Sequence, residues 1–418
     1  RDWSSDVCSS DLLSLGFEQA GFDVLAAVEI DPVHAAVHEF NFPDCKVIPQ
    51  SITDISGQDI RDIVNISNDQ SIDVVMGGAP CQGFSLIGQR ALDDPRNFLV
   101  KEFLRIVDEL KPDYFVFENV KGLTTGKHKK FLNELIEEFK EIDYQILSPW
   151  QVLNARNHGV PQSRERLFLI GAKAGMKLPN YPKQQKIQPT CIDALGDLPD
   201  AEGFDLLNKS DEIITDKWGQ PSEYAKLMRC QTPEGWYFGY QRIFDSNLLT
   251  SSLRTKHTEI SRRRFKETEP GSVEKISRFY KLSENGVSNT LRAGTDSSRG
   301  AFTSPRPIHY RYPRCVTVRE MARLHGFPDW FRLHETKWHG ARQIGNSVPP
   351  PLARAVASEL INTIGCTPTT PKGVMNLGDS KLLRMTVSQA ADYWGVKNPI
   401  AARNRKSGNT KRKQEEIE

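Results

Sequence analysis

The stretch that most constrains this chain is GGAPCQGFS at residues 77–85, directly after the apolar run IDVVM at residues 72–76. A short apolar run of this kind is typical of a buried strand in a parallel sheet. The paired glycines and the proline predict a tight, stiff turn with Cys81 at the carboxyl end of that strand. Because open α/β sheets bind their ligands at this end, Cys81 is a candidate nucleophile. The alternative is a small buried side chain beside the turn.

Polar side chains also follow a second apolar run, YFVF at residues 114–117, which ends in Glu118. Among apolar neighbours a carboxyl group keeps its proton to a higher pH, so Glu118 is a candidate proton donor. Its alternative role is a salt-bridged carboxylate at a strand end. In the segment QSRER at residues 162–166, Arg164 and Arg166 share one face if the chain is extended. Such a pair suits a carbonyl oxygen and a phosphate, and the alternative is an ordinary surface pair.

Composition narrows the class of protein. A chain of 418 residues can bury a large core and predicts two or three domains. The net charge of +2 leaves any nucleic-acid surface to local clusters. The seven cysteines have no metal-binding spacing and indicate free thiols in a reducing compartment. We see no apolar run of membrane-spanning length and no secretory signal, so the sequence predicts a cytoplasmic protein without a membrane partner.

These segments resemble, in sequence and order, the motifs of the prokaryotic DNA (cytosine-5) methyltransferases of restriction-modification systems. Two further matches are CVTVREMARLHGFP at residues 315–328 and RQIGNSVPP at residues 342–350. The resemblance implies an α/β fold: a doubly wound Rossmann-like sheet with a second, smaller, mostly-β or irregular target-recognition domain. The implied parts are a catalytic domain that binds S-adenosylmethionine (13–174), a target-recognition domain (175–330), a return to the catalytic domain (331–365), and a linker with a basic tail (366–418).

The resemblance also implies the chemistry. Cys81 attacks C6 of a cytosine flipped out of duplex DNA, Glu118 contacts N3, and Arg166 holds O2 with Arg164 in support. S-adenosyl-L-methionine supplies the methyl group, and no metal is required. The implied cofactor-binding residues are Glu29, Ile30, Asp54, Ile55, Pro80, Leu99, Asn346 and Ser347. Glu29 ends a predicted strand, where a carboxylate can bind ribose hydroxyls, although a solvated edge charge is the alternative. For Leu99 the alternative is core packing.

A basic cluster at residues 254–266 predicts contacts with DNA phosphates, and its alternative is a solvated face. The loop TLRAGT at residues 290–295 resembles the core of the family's target-recognition domain. The implied DNA-binding residues are Gln82, Ser85, Arg254, Arg263, Arg292 and Thr295. The implied partners are double-stranded DNA and a cognate restriction endonuclease that acts on the same site, with the chain itself monomeric.

The two ends of the chain depart from the family pattern. DWSSDVCSSDL at residues 2–12 matches the translation of a widely used sequencing-library adapter, so we interpret residues 1–12 as an artefact without a predicted element. The alternative is a genuine polar tail. The family's Gly-rich cofactor turn belongs directly before residue 13, and the sequence lacks it there. Residues 385–396 predict either the start of a helix-turn-helix or a plain amphipathic helix, and residues 402–413 are a basic tail able to touch DNA.

Two other functions stay open at this point. The first is cytosine-5 methylation of tRNA by the same fold, a branch that lacks a long recognition domain, so the long segment at residues 175–310 argues against it. The second is a DNA-binding protein without catalysis, because a chain without the Gly-rich turn would bind S-adenosylmethionine poorly.

Overall fold

The computed structural model describes residues 5–8, 13–78, 98–295 and 303–398. Its central feature is an eight-stranded sheet. The strands are β1 (Ser5–Cys8), β2 (Asp23–Val28), β3 (Lys46–Ile48), β4 (Val74–Gly78), β5 (Tyr114–Val120), β6 (Tyr144–Ile146), β7 (Gln151–Asn154) and β8 (Glu165–Lys173). The helices packed on it are α1 (Ser14–Ala20), α2 (Pro32–Asn41), α3 (Gly57–Val64), α4 (Phe98–Leu110), α5 (Lys127–Glu141) and, late in the chain, α11 (Pro350–Ile364).

The strand order is β3-β2-β1-β4-β5-β8-β6, with β7 also paired to β8. Strands β1 to β5 pair in parallel, whereas β8 runs antiparallel to β5, β6 and β7. The order reverses between β1 and β4, which is the point where doubly wound sheets bind their ligands. The predicted Rossmann-like α/β sheet is therefore present. No helix in the described ranges is long and apolar enough to cross a membrane.

The strands read as continuous apolar runs because helices cover both faces of the sheet. In β5, Phe115 and Phe117 join one buried cluster with α3, α4 and α5, while Tyr114 and Val116 join another with α1 and α11. Helices α1 and α11 cross so closely that a Cβ atom on Gly16 would overlap α11. Segments from opposite ends of the chain therefore share one core.

Residues 5–8 differ from the sequence interpretation, which gave residues 1–12 no element. They form β1, with β2 on one side and β4 on the other. Strand pairing uses backbone N–H and C=O groups that every residue type except proline supplies, so an atypical sequence can still occupy this central place. The exclusion of this segment from the fold is thus corrected, while its origin stays a prediction.

Residues 175–317 contain three two-residue strands and three short helices in their described part. They are β9 (Ile213–Ile214), β10 (Gln241–Arg242), β11 (Leu248–Leu249), α6 (Cys191–Leu195), α7 (Glu223–Met228) and α8 (Glu259–Glu267). Of the two expected characters, mostly-β or irregular, the described part has the irregular one, because polar, proline-rich segments pair for only two residues at a time. Helices α9 (Val318–His325) and α10 (Lys337–Asn346) follow. One buried cluster joins Leu291, Met321 and Trp330 to Leu15 and Phe42 of the catalytic half.

The segment after residue 366 also differs from the sequence interpretation. β12 (Val374–Met375) pairs with β10, and α12 (Val387–Trp394) lies against α2. Leu382 and Leu383 pack on Val37 and Phe40 of α2. This part is therefore a packed strap, and its interpretation as a linker is corrected. The strap buries apolar side chains that the sequence spaces too irregularly to signal a core. In it α12 is a single helix of eight residues. Residues 399–418, where a second helix of a helix-turn-helix would follow, lie outside the described ranges, so the choice between the two interpretations of this segment stays a prediction.

Candidate active site

Two polar side chains meet at one edge of the central sheet. β4 ends at Gly78, which is paired with Glu118 of β5. Because β8 runs antiparallel to β5, its first residues lie at the carboxyl end of β5, and Arg166 is paired there with Val120. The register therefore brings Glu118 and Arg166 together beside the end of β4. The predicted residues Pro80, Cys81, Gln82 and Ser85 follow β4 and lie outside the described residues.

Glu118 and Arg166 form a largely buried ion pair. Arg166 Nε lies 2.8 Å from Glu118 Oε1, and the two side chains are 13% and 7% exposed. Burial raises the pKa of Glu118 above its ordinary value, although the positive charges of Arg166 and Arg164 act against this shift. Both roles considered from the sequence are thus combined: Glu118 is salt-bridged, and it binds a proton more readily than an exposed carboxylate.

Arg164 has different surroundings from Arg166. It is fully buried, and its Nη1 and Nη2 donate hydrogen bonds to the carbonyl oxygens of Leu291 at 2.9 Å and Gly345 at 2.8 Å. Burial and the charge of Arg166 lower the pKa of Arg164. Its guanidinium group therefore joins the start of β8, the loop at residues 290–295 and the end of α10, and does not face a phosphate.

A second network joins the same three segments, and sequence reasoning missed two of its members. Gln162 Oε1 accepts from the Leu291 N–H at 3.0 Å, and Gln162 Nε2 lies 2.8 Å from Nδ1 of His325. The other imidazole nitrogen of His325 lies 3.0 Å from the hydroxyl of Ser347. Burial and the charge of Arg164 lower the pKa of His325 far enough to keep it neutral. Gln162 and His325 stand inside the quoted motifs, but only the spatial contacts show their role.

The predicted cofactor residues of the first half surround the end of β2. Glu29 follows β2, and its Oε1 accepts from the Asp31 N–H at 2.9 Å. Ile30, next to it, is 67% exposed. Asp54 is exposed in the turn before α3, whereas Ile55 is buried in the core. A carboxylate beside an exposed isoleucine suits a ligand that has ribose hydroxyls next to an aromatic ring.

The remaining predicted cofactor residues in the described ranges lie on α4 and at the end of α10. Leu99 is half-buried in the first turn of α4, and Asn346 is exposed at the last residue of α10. Ser347 is buried, and its hydroxyl also contacts the Ile344 carbonyl at 2.9 Å. The hydroxyl of Ser347 thus already belongs to the network with His325, and it braces the end of α10.

Nearby carboxylates offset part of the positive charge that the sequence indicates around the predicted DNA-binding arginines. Arg254 lies 3.7 Å from Asp205, and carboxylates from distant segments pair with the arginines on either side of Arg263. Arg263 and Arg292 are exposed. A hydrogen bond fixes the backbone of Thr295, because its carbonyl oxygen accepts from Trp338 Nε1 at 3.0 Å. The loop at residues 292–295 is also so close to α10 that a Cβ atom on Gly345 would overlap it.

Comparisons with known proteins identify the family of the chain. The family described as C-5 cytosine-specific DNA methylase matches residues 7–362. The type II methyltransferase M.XorII of Xanthomonas oryzae pv. oryzae is 55% identical over 94% of this chain and 92% of its own. M1.HphI of Haemophilus parahaemolyticus, also a type II methyltransferase, is 34% identical over 83% of each chain.

Solved structures give the same result. A prophage-encoded E. coli protein, described as a candidate DNA modification methyltransferase, is 32% identical with a TM-score of 0.69, over 87% of this chain and 99% of its own. DNMT2 of Spodoptera frugiperda, at 17% identity and a TM-score of 0.52 over 87% of this chain and 99% of its own, shares the fold. The chain belongs to the family of C-5 cytosine-specific DNA methylases.

Proposed function

We propose that this chain transfers a methyl group from S-adenosyl-L-methionine to C5 of a cytosine in a specific duplex DNA sequence. The observation that carries the proposal is the buried pair of Glu118 and Arg166 beside the end of β4. Cys81 follows Gly78 by three residues, which span at most about 11 Å when fully extended. The covalent chain therefore keeps the thiol near the residue that is paired with Glu118.

In the proposed reaction the thiolate of Cys81 forms a bond to C6, and the electron pair of the C5–C6 double bond moves towards C5. Glu118 donates its proton to N3, while Arg166 donates a hydrogen bond to O2 and stabilises the developing charge. C5 then forms its bond to the methyl group, whose bond to the sulfonium sulfur breaks and leaves a neutral thioether. Loss of the C5 proton to a base and cleavage of the sulfur–C6 bond release Cys81 as a thiolate, and return of the N3 proton to Glu118 restores the neutral aromatic ring.

S-adenosyl-L-methionine supplies a methyl group bound to a sulfonium, which is electrophilic enough for carbon alkylation. In this proposal Glu29 accepts hydrogen bonds from its ribose, and Ile30 covers its adenine. Asp54, Leu99 and Asn346 are the other candidates whose side chains are at least partly exposed. Residues 9–12 lie outside the described ranges, and their sequence lacks the glycines of the family turn. Cofactor binding should therefore be measured before turnover.

The remaining parts of the proposal concern partners. We propose that Arg263 and Arg292 contact DNA, because both are exposed and, among the described residues, neither forms an ion pair with a carboxylate like those of their neighbours. We also propose that the chain acts as a monomer. Because relatives of this chain are named type II methyltransferases, we further propose that it protects a site that a cognate endonuclease cuts. Plasmid DNA from cells that express the chain should then resist endonucleases specific for that site.

A mechanism-based trap tests the central proposal. The full chain is incubated with S-adenosyl-L-methionine and a duplex DNA pool in which 5-fluorocytosine replaces cytosine, and the products are separated on a denaturing gel. After methyl transfer C5 carries fluorine in place of the proton, so Cys81 is not released and an adduct accumulates.

The controls are Cys81→Ala, which should abolish the adduct, and Cys366→Ala, which removes a thiol beyond α11 and should preserve it. An equal adduct with Cys81→Ala would contradict the mechanism. An adduct with 5-fluorocytosine tRNA but not with duplex DNA would replace the DNA substrate by an RNA one.

A further inference from the structure

Three potential metal-binding side chains meet where α2 and α10 begin. Asp31 caps α2, His34 lies one turn further along that helix, and His339 lies in the first turn of α10. Each offers one ligand atom, and these three atoms all lie within 4.8 Å of one another. More than 300 residues separate His34 from His339 in the sequence. The folded chain alone brings the cluster together, which is why the cysteine and histidine spacing gave no sign of it.

The two imidazoles have buried nitrogen atoms without a hydrogen-bond partner among the described residues. These atoms are Nε2 of His34, a residue 6% exposed, and Nδ1 of His339. His34 Nε2 lies 3.9 Å from Asp31 Oδ2, which is too far for a hydrogen bond. Buried polar atoms in folded proteins are nearly always paired, so two such nitrogens beside one carboxylate point to a ligand.

The surroundings orient the three side chains. Asp31 Oδ1 accepts from the N–H groups of Val33 at 3.0 Å and His34 at 3.3 Å, and this helix cap fixes the carboxylate with Oδ2 on the side of His34. The ring of His334 lies 4.8 Å from that of His339. Both nitrogens of His334 are engaged, Nδ1 with Thr336 and Nε2 with the carbonyl of Met385. His334 is therefore not available as a ligand.

We propose that Asp31, His34 and His339 bind one divalent transition-metal ion of the zinc type. Two imidazoles and one carboxylate are a ligand set that Zn²⁺ and Co²⁺ accept, with water at the fourth position. Ligand atoms around a tetrahedral zinc ion lie about 3.3 Å apart at bond lengths of roughly 2.0 Å. The widest separation, up to 4.8 Å, must therefore contract by up to about 1.5 Å, a distance that side-chain rotation covers.

The ion would act as a brace and not as a reagent. It would join the start of α2, directly after Glu29, to the start of α10, which leads to Asn346 and Ser347. Predicted cofactor residues thus lie just before α2 and at the end of α10. The N–H of Asp31 already donates a hydrogen bond to the carboxylate of Glu29. The site lies apart from the pair of Glu118 and Arg166 and requires no change in the proposed methyl transfer.

The test uses tag-free, full-length chain treated with a chelator and dialysed against Zn²⁺ or Co²⁺. Bound metal is counted by mass spectrometry, and the visible absorption of bound Co²⁺ reports its ligands. The ligand variants are Asp31→Asn, His34→Gln and His339→Gln. Asparagine caps helices as well as aspartate, so Asp31→Asn keeps α2 intact. The matched control is His334→Gln, which removes an adjacent imidazole that is not a ligand.

The wild type should bind one equivalent of metal. Each ligand variant should bind this metal at least about tenfold more weakly. His334→Gln should retain that equivalent within about threefold of the wild-type affinity. Zn²⁺ should raise the melting temperature of the wild type and of His334→Gln, but not of the ligand variants, because only a ligand bound to the folded state stabilises it.

Some metal can bind to the free thiols, and a thiolate-to-Co²⁺ charge-transfer band would reveal it. The proposal is overturned if the wild type and the three ligand variants bind the same number of equivalents with the same affinity. It is equally overturned if His334→Gln loses the equivalent, or if the wild type binds none.

Discussion

Glu118→Gln separates the chemistry of the active site from its stability. Glutamine has the shape of a protonated glutamate and can still accept from Arg166, but it cannot give a proton to N3 of cytosine. A positioned general acid contributes about 10²–10⁴-fold to a rate, or roughly 3–5 kcal/mol of activation free energy. We expect kcat for methyl transfer to fall by that factor, while the affinity for duplex DNA changes little.

The same substitution should stabilise the protein at neutral pH. Burial raises the pKa of Glu118 above its ordinary value of 4.5 despite the nearby arginines. A carboxyl group that binds its proton more tightly in the folded state lowers the folding stability when it ionises. Glutamine never ionises. The variant and the wild type should therefore be equally stable well below pH 4.5, and the variant should become the more stable of the two as the pH rises through the raised pKa.

Transfer of a tritiated methyl group to duplex DNA measures the rate, and thermal melts between pH 4 and pH 9 measure the stability. The matched control is Glu138→Gln, which removes an exposed carboxylate of α5 that pairs with Lys101 of α4. Exposed pairs contribute about 0–1 kcal/mol, so this control should alter neither quantity appreciably. The reasoning is refuted if Glu118→Gln keeps activity within tenfold of the wild type. It is also refuted if the variant is less stable than the wild type at pH 8.

Three further substitutions test the packing around the site. Arg242→Met leaves the buried carboxylate of Glu18 without its partner at 2.5 Å and should cost about 3–5 kcal/mol in urea denaturation. The double variant with Glu18→Gln should recover part of this loss, and no recovery would contradict the argument. Gly345→Ala should lower stability by about 1–3 kcal/mol and weaken duplex binding in a mobility-shift assay, because its Cβ overlaps the backbone of Ala293; an unchanged melt would disprove the close contact. Burial raises the pKa of Asp211 to about 6, so Asp211→Asn should be more stable above pH 6, by up to about 3 kcal/mol, and equal below about pH 3.8. An advantage that is the same at pH 4 and pH 8 would exclude this cause.

The sequence predicted elements whose signals are local. The apolar periodicity of residues 98–110 and Asp31 before Pro32 mark α4 and the start of α2, and both helices are present. The sequence also predicted the sheet edge that carries Glu118 and Arg166, because each residue lies beside an apolar run. Features that depend on distant pairing did not follow. β1 is defined by its neighbours β2 and β4, and the strap after residue 366 is defined by α2. Likewise, the carboxylates that pair with the basic cluster come from separate segments.

The sequence motifs identify this family, but they do not show which contacts the polar residues inside them make. The sequence predicts only a supporting role for Arg164 beside Arg166 and assigns no role to Gln162. Each binds the backbone of Leu291, in the loop that resembles the recognition core; Arg164 also binds Gly345 of α10, and Gln162 contacts His325 of α9. A hydrogen bond to a buried backbone group is costly to lose, so the loop cannot shift without disturbing the start of β8. The position of the loop at residues 290–295 is thereby tied to the position of Arg166, only two residues beyond Arg164. A displacement of this loop would therefore alter the geometry of the pair of Glu118 and Arg166.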